Sequence, residues 1–94
     1  MRYYYVYIMT NKPKGTLYVG ITNNLIRRVY EHKNDLNERS FTSRYSLHRL
    51  VYYEAYNYVW DAIRREKSVK KWKRDWKIRM IEEVNPNWEE LTII

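Results

Sequence analysis

The sequence predicts an α+β domain, a small three-stranded antiparallel sheet flanked by helices in the order ββαβαα. Three observations lead there. Two runs dense in Tyr, Val and Ile, Arg2 to Met9 and Thr16 to Thr22, stand on either side of the turn-forming Asn11-Lys12-Pro13-Lys14-Gly15 and read as an antiparallel hairpin. Leu50 to Tyr56 repeats the strand composition, and the remaining long segments carry apolar residues at helical spacing. Ninety-four residues suffice for one such domain and are too few for two.

In the first strand Tyr3, Tyr5, Tyr7 and Met9 line one face and Tyr4, Val6 and Ile8 the other. Both faces are apolar, which suits a central strand. The second strand places Tyr18, Gly20 and Thr22 on one side and Leu17, Val19 and Ile21 on the other. Asn23 or Asn24 offers an N-cap for a helix to about Leu36, with Leu25, Val29, His32 and Leu36 on its buried face and Arg28 beside them. Asn37 to His48 is polar and irregular, and the third strand follows. A second helix is expected from about Val59 past Lys71 and a third from about Asp75 to Val84, stopped by Asn85-Pro86. The acidic pairs Glu82-Glu83 and Glu89-Glu90 read as a solvated end.

Composition removes several function classes. Without cysteine there is no disulfide framework, thiolate zinc site or thiol nucleophile. A metal must be held by oxygens or by the two histidines, which favours Mg²⁺-like ions. Apolar runs are short, so neither a membrane span nor a secretory signal is expected, and a soluble cytoplasmic protein is. With two glycines there is no glycine-rich phosphate loop, and the Ser, His and Asp residues form no nucleophile elbow.

The charge is concentrated. Arg64 to Arg79 holds nine Lys/Arg and two acids, while the rest of the chain holds nine of each, so the whole net charge of +7 lies in sixteen residues. Charge spread for solubility mixes its signs; a footprint for phosphates does not. Arg65, Lys70, Lys71, Lys73, Arg74 and Lys77 are thus candidate nucleic-acid contacts, joined by Arg27 on the first helix. Trp72 and Trp76 are interleaved among them and offer stacking faces.

Three features break local rules. Glu66 falls near the middle of the apolar arc formed by Val59, Ala62, Ile63 and Val69. An inward carboxylate needs a partner, either a salt bridge to a nearby base or to Arg28, or a metal ion, unless it serves as an acid/base group. His32 lies on an apolar helix face, and Arg28 one turn earlier projects to the same side. That pair suits gripping a phosphate and handling a proton. Tyr7 and Tyr18 occupy one face of the hairpin with Gly20, whose missing side chain leaves room for another group. Tyr7, Tyr18, Arg28, His32 and Glu66 together form a constellation able to cleave a phosphodiester: a proton acceptor, a cation for the phosphorane and a carboxylate for a metal.

Tyr5-Val6-Tyr7, ten intervening residues, then Tyr18-Val19-Gly20 resembles the paired motif of the GIY-YIG nucleases. Arg28 and His32, four apart, and Ala62 to Lys67 around Glu66 continue the likeness over nearly the whole chain. It is nearest to the small stand-alone bacterial group, UPF0213, which lacks an attached DNA-binding domain. The resemblance implies a nuclease domain using one divalent metal, Mg²⁺ or Mn²⁺, and a water nucleophile. By matching positions, Tyr7 and Tyr18 are the motif tyrosines, Tyr18 or His32 helps deprotonate water, Arg28 contacts the phosphate, Glu66 binds the metal, and Val6, Val19 and Gly20 complete the motif.

The chain departs from the pattern in places. Tyr5 replaces the leading glycine of the first motif, and Ile21 stands where the excision-repair nuclease has a lysine. Arg27 abuts Arg28, and only the spacing to His32 selects between them. The expected function is a metal-dependent DNA endonuclease acting on branched, nicked or single-stranded DNA in repair or processing. A homodimer or a partner protein would supply specificity, and no membrane is involved. The alternative is a non-catalytic nucleic-acid-binding module on the same scaffold.

Overall fold

A computed structural model describes residues 2–34 and 44–92. Strands β1 (Tyr4–Thr10), β2 (Leu17–Thr22) and β3 (Arg49–Tyr56) form one sheet in the order β2-β1-β3, with both pairings antiparallel. Helix α1 (Leu25–Lys33) follows β2, and α2 (Val59–Lys71) and α3 (Arg74–Val84) follow β3. The order and class are those expected. Leu36 and most of the polar segment before His48 lie outside the described residues.

The central position of β1 follows from its two apolar faces, and each face has a core of its own. Val6 and Ile8 pack with Val19 and Val51 from the sheet, with Ala62 and Val69 of α2, with Ile81 of α3 and with Trp88. Tyr7 and Met9 pack on the other side with Leu25 and Val29 of α1 and with Leu47 and Leu50. A bulge between Ile8 and Met9 lets Ile8 face Tyr52 and Met9 face Leu50, so Val51 is the extra residue of β3. Leu47 is fully buried although the sequence around it is polar.

Helix α1 is capped by Asn24, not Asn23: its Oδ1 accepts from the Arg27 N–H at 3.1 Å. The β1–β2 turn bends through Lys14 at φ 56°, closed by Gly15 N–H donating to the Lys12 carbonyl at 2.9 Å. Between α2 and α3 the chain turns at Trp72 and Lys73, whose ψ angles of 149° and 148° interrupt the helical path.

The segment after α3 is a strap packed through Asn85 and Trp88, while Glu83, Glu89 and Glu90 are exposed as expected and Glu82 is half-buried. Asn85 is buried; its Nδ2 donates to the carbonyls of Val51 (3.0 Å) and Glu89 (2.9 Å), and its Oδ1 accepts from Glu89 N–H at 3.0 Å. Trp88, 2% exposed at φ 56°, donates from Nε1 to Glu82 at 2.8 Å. Leu91 N–H donates to Leu50 at 2.8 Å, and Glu90 pairs with Lys33 of α1. Burying the Trp88 indole holds the strap to the core while its acids stay at the rim.

Candidate active site

β1, β2 and α1 converge on one face of the sheet. Because Tyr7 pairs with Gly20 and Met9 with Tyr18, the two motif tyrosines stand diagonally across the hairpin with Gly20 between them. A Cβ at Gly20 would lie 2.5 Å from Cζ and Oη of Tyr7 and 2.9 Å from Cε2 of Tyr18, so the ring of Tyr7 occupies the space that a side chain would take. Val6 and Val19, the other motif residues, point away into the opposite core.

Arg28 and His32 lie one turn apart on α1, and Val29 and Leu25 anchor that helix to the same face. His32 Nε2 is 3.0 Å from Tyr7 Oη. The His32 ring also lies 5.8 Å from those of both Tyr7 and Tyr18, and the two tyrosine rings are 6.2 Å apart. Tyr7 is completely buried, whereas Tyr18 and His32 are half-buried. Tyr7 therefore orients its neighbours, and Tyr18 is the motif tyrosine that reaches the solvent side.

Burial and the neighbouring Tyr18 raise the Tyr7 phenol well above its ordinary value, with Arg28 pulling the other way. Burial lowers His32, and the charges of Arg28 and His48 add to that while Glu31 opposes it. At neutral pH the pair is thus a protonated phenol against a neutral imidazole, joined by one hydrogen bond whose direction follows the imidazole tautomer.

Arg28 bridges Glu31 at 3.2 Å while its charge acts on Tyr7 and His32. Arg27 binds the other oxygen of Glu31 at 3.2 Å with its side chain 74% exposed, so the structure separates the two adjacent arginines by direction. Thr22, Asn23, Asn24, Arg27, Arg28 and Glu31 border a polar hollow of about 120 Å³.

Glu66 projects from the α2 face that carries the buried Ala62 and Val69, with its side chain 12% exposed. Lys70, one turn on, holds it at 2.8 Å, so the inward carboxylate is met by a salt bridge to a nearby base and not to Arg28. Among the described residues no three His, Asp or Glu side chains form a metal cage. A nearly buried carboxylate paired with a half-exposed lysine is a donor of the type a Mg²⁺-like ion takes once it displaces that lysine. Such an ion keeps waters and substrate oxygens for the rest of its shell.

The basic candidates divide. Arg65 forms a structural ion pair: Nε and Nη2 grip Glu54 at 3.0 and 2.9 Å, and the guanidinium lies 4.9 Å from the Trp72 ring centre. Burial pushes the Glu54 carboxyl up, but hydrogen bonds from Arg65, Tyr52 and Tyr56 outweigh it and hold it below the usual range. Arg74 donates to the Lys14 carbonyl and, at 2.6 Å, to that of Gly15, pinning the β1–β2 turn to α3. Lys77 donates to the Lys70 carbonyl at 3.2 Å, while Lys71 and Lys73 are exposed. Sequence reasoning missed Glu54, although a carboxylate inside a Tyr-rich strand is the same signal that marked Glu66. It also missed Glu31 and His48, whose roles depend on spatial neighbours.

A hairpin carrying paired tyrosines, with an arginine and a histidine delivered by the next helix, is the layout of a GIY-YIG catalytic domain, and the family model of that description matches residues 3–79. The chain belongs to the GIY-YIG family, a nuclease family. Within it the chain groups with the UPF0213 proteins. It is 36% identical over 77 residues to a UPF0213 protein of Clostridium perfringens, covering 82% of this chain and 81% of that one. It is 38% identical over 78 residues to the UPF0213 protein from the VLF1-GP41 intergenic region of Autographa californica nuclear polyhedrosis virus, covering 81% and 73%. The solution NMR structure of UPF0213 protein BH0048 from Bacillus halodurans superposes with a TM-score of 0.58 at 27% identity, over 94% of this chain and 92% of that one.

Proposed function

We propose that this protein is a divalent-metal-dependent DNA endonuclease that hydrolyses phosphodiesters at the Tyr7–Tyr18–His32 cluster. The observation that carries the reading is the 3.0 Å contact between a buried phenol and an imidazole kept neutral by its surroundings. An acceptor with a lowered proton affinity, fed by a hydroxyl that holds its own proton tightly, suits a relay in which no phenolate accumulates.

Water attacks phosphorus; its proton passes to Tyr18, on through Tyr7, and ends on His32 Nε2. The bond from phosphorus to the leaving oxygen breaks, and that oxygen takes a proton from solvent. Arg28, partly exposed beside the cluster, offsets the charge of the phosphorane. Glu66, on a helix that packs on the Val6 and Ile8 side of β1 and not on the α1 side, would hold Mg²⁺ or Mn²⁺, and such an ion supplies Lewis-acid polarisation to a phosphodiester within its reach. The exposed Lys71 and Lys73 and the side chain of Arg27 are the cations best placed to meet a DNA backbone. A domain of this size has little surface for reading bases, so DNA structure rather than sequence is recognised, in repair or processing in the cytoplasm.

The experiment is a cleavage assay on duplex, nicked, branched and single-stranded DNA, with Mg²⁺, Mn²⁺ or chelator. Cleavage should need metal and fall by about 10²–10³-fold or more in Glu66→Gln, as losses of one charge-stabilising group do. If no substrate is cut, or Glu66→Gln cuts as fast as the parent protein, the proposal fails. Salt-sensitive DNA binding without turnover would instead favour a binding module.

A further inference from the structure

The elbow between α2 and α3 carries a second feature, on the sheet face opposite Tyr7 and His32. Both helices pack on the Val6 and Ile8 side of β1, while Tyr7 belongs to the α1 side. At the elbow Trp72 and Trp76 meet edge to face, with ring centres 6.2 Å apart and planes at 72°. Trp72 is fixed by Arg65, itself locked to Glu54, whereas Trp76 leaves 54% of its surface in solvent. Around them Arg65, Trp72, Trp76, Arg79, Met80 and Glu83 line a hollow of about 300 Å³.

A large indole left exposed beside a second indole, over a hollow, forms a contiguous apolar patch and marks a contact surface. Its surroundings say of what kind. The elbow lies inside the sixteen residues that hold the whole net charge of +7, so the complementary partner is a polyanion. The polyanion whose repeating unit also presents a flat apolar face is a nucleic acid with its bases unpaired; a duplex hides those faces in the stack. Arg79 is exposed on the rim for a phosphate, and Glu83 offers an acceptor to a base edge.

We propose that this elbow seats an unpaired base of single-stranded DNA, stacked on Trp76 against the Trp72 edge, with Arg79 meeting the adjacent phosphate. Glu66 lies on the same helix, six residues or about 9 Å of helix rise before Trp72. The proposal shares with the nuclease reading only the premise that DNA is the partner, and its test needs no cleavage.

The test measures binding of a fluorescent single-stranded DNA oligonucleotide to full-length Glu66→Gln protein in chelator, with the same variant carrying changes at the elbow. Trp76→Ala should weaken binding by about 5- to 150-fold, the range seen when one stacking aromatic is removed, and Trp76→Phe should restore most of it. Arg79→Ala should lower the slope of log affinity against log salt by roughly 0.7. Trp60, also exposed at 58% but outside the elbow, is the control: Trp60→Ala should bind as the parent does. Equal binding by Trp76→Ala and the parent, equal losses in the Trp60 and Trp76 variants, or tighter binding of duplex DNA or of RNA than of single-stranded DNA would each overturn the proposal. A protein that cuts no DNA yet binds it through Trp76 would sink the nuclease reading alone.

Discussion

Gly20→Ala tests the geometry of the cluster through a single methyl group. The new Cβ would sit 2.5 Å from both Cζ and Oη of Tyr7 and 2.9 Å from Tyr18 Cε2, inside any tolerable contact. Tyr7 is the end that must give, and it is poorly able to: its ring is rigid, completely buried and tied to His32 at 3.0 Å. Overpacking of a closed core costs about 1–3 kcal/mol. For a domain of this size each kcal/mol lowers Tm by about 4–8 °C, so a fall of about 4–24 °C is expected by calorimetry or circular dichroism. Pairing the change with Tyr7→Phe in a double-mutant cycle locates the strain. Phenylalanine removes the oxygen and frees the ring from His32, so Gly20→Ala should cost less in that background, with a coupling of about 0.5–3 kcal/mol. Cleavage should collapse in Gly20→Ala while binding of single-stranded DNA at the elbow persists. Additive effects of the two substitutions, or a Gly20→Ala protein that melts with the parent, would show that the Tyr7 ring does not fill the glycine's space.

Two further outcomes rest on charge. Arg28→Ala removes a charge that, after burial, holds His32 down, so the His32 pKa should rise from its lowered position toward 6.5 in an NMR titration. The parent's His32 contribution to stability is complete above about pH 6.5 and is lost as pH falls from there through the lower folded value, because the unfolded chain binds the proton first. Tyr7→Phe should itself cost about 0.5–1.5 kcal/mol. Arg65→Ala leaves Glu54 facing Tyr52 and Tyr56 alone; with the arginine side chain 33% exposed, the loss for a buried pair reduces to about 1–3 kcal/mol in denaturant unfolding. Because Glu54 is held below 4.5, its stabilisation is full above that pH and is lost as pH falls through the folded value. Glu54→Gln should therefore flatten the acid limb of the stability curve, and an unchanged limb would place the acid-sensitive group elsewhere.

The local pattern of residues was enough for the sheet, the helices and most of the cluster. Period-two alternation of Tyr4 to Met9 made β1 central, because a strand apolar on both faces must be covered on both. Four-residue spacing put Arg28 and His32 on one side of α1, and Gly20 marked the one place on β2 where another ring could enter. The same reasoning does not reach partners that are distant in sequence. Arg65 has the composition of a phosphate ligand, and only β3 crossing beneath α2 turns it toward Glu54. Arg74 likewise meets a turn some sixty residues earlier, and Trp88 is buried beneath a segment written in acidic residues.

What the sequence by itself determined was the class of chemistry: a family motif on a hairpin, a helix bearing Arg28 and His32, an inward Glu66 and one strongly basic segment. Tertiary structure decided how those groups are employed. It buried Tyr7 and left Tyr18 at the solvent side, tied Glu66 to Lys70, and spent Arg65 and Arg74 on the scaffold while exposing Trp76 at the elbow. The physical reason is range. Periodicity and turn chemistry act over a few residues and are written locally, whereas burial and ion pairing depend on which strand or helix arrives from elsewhere in the chain.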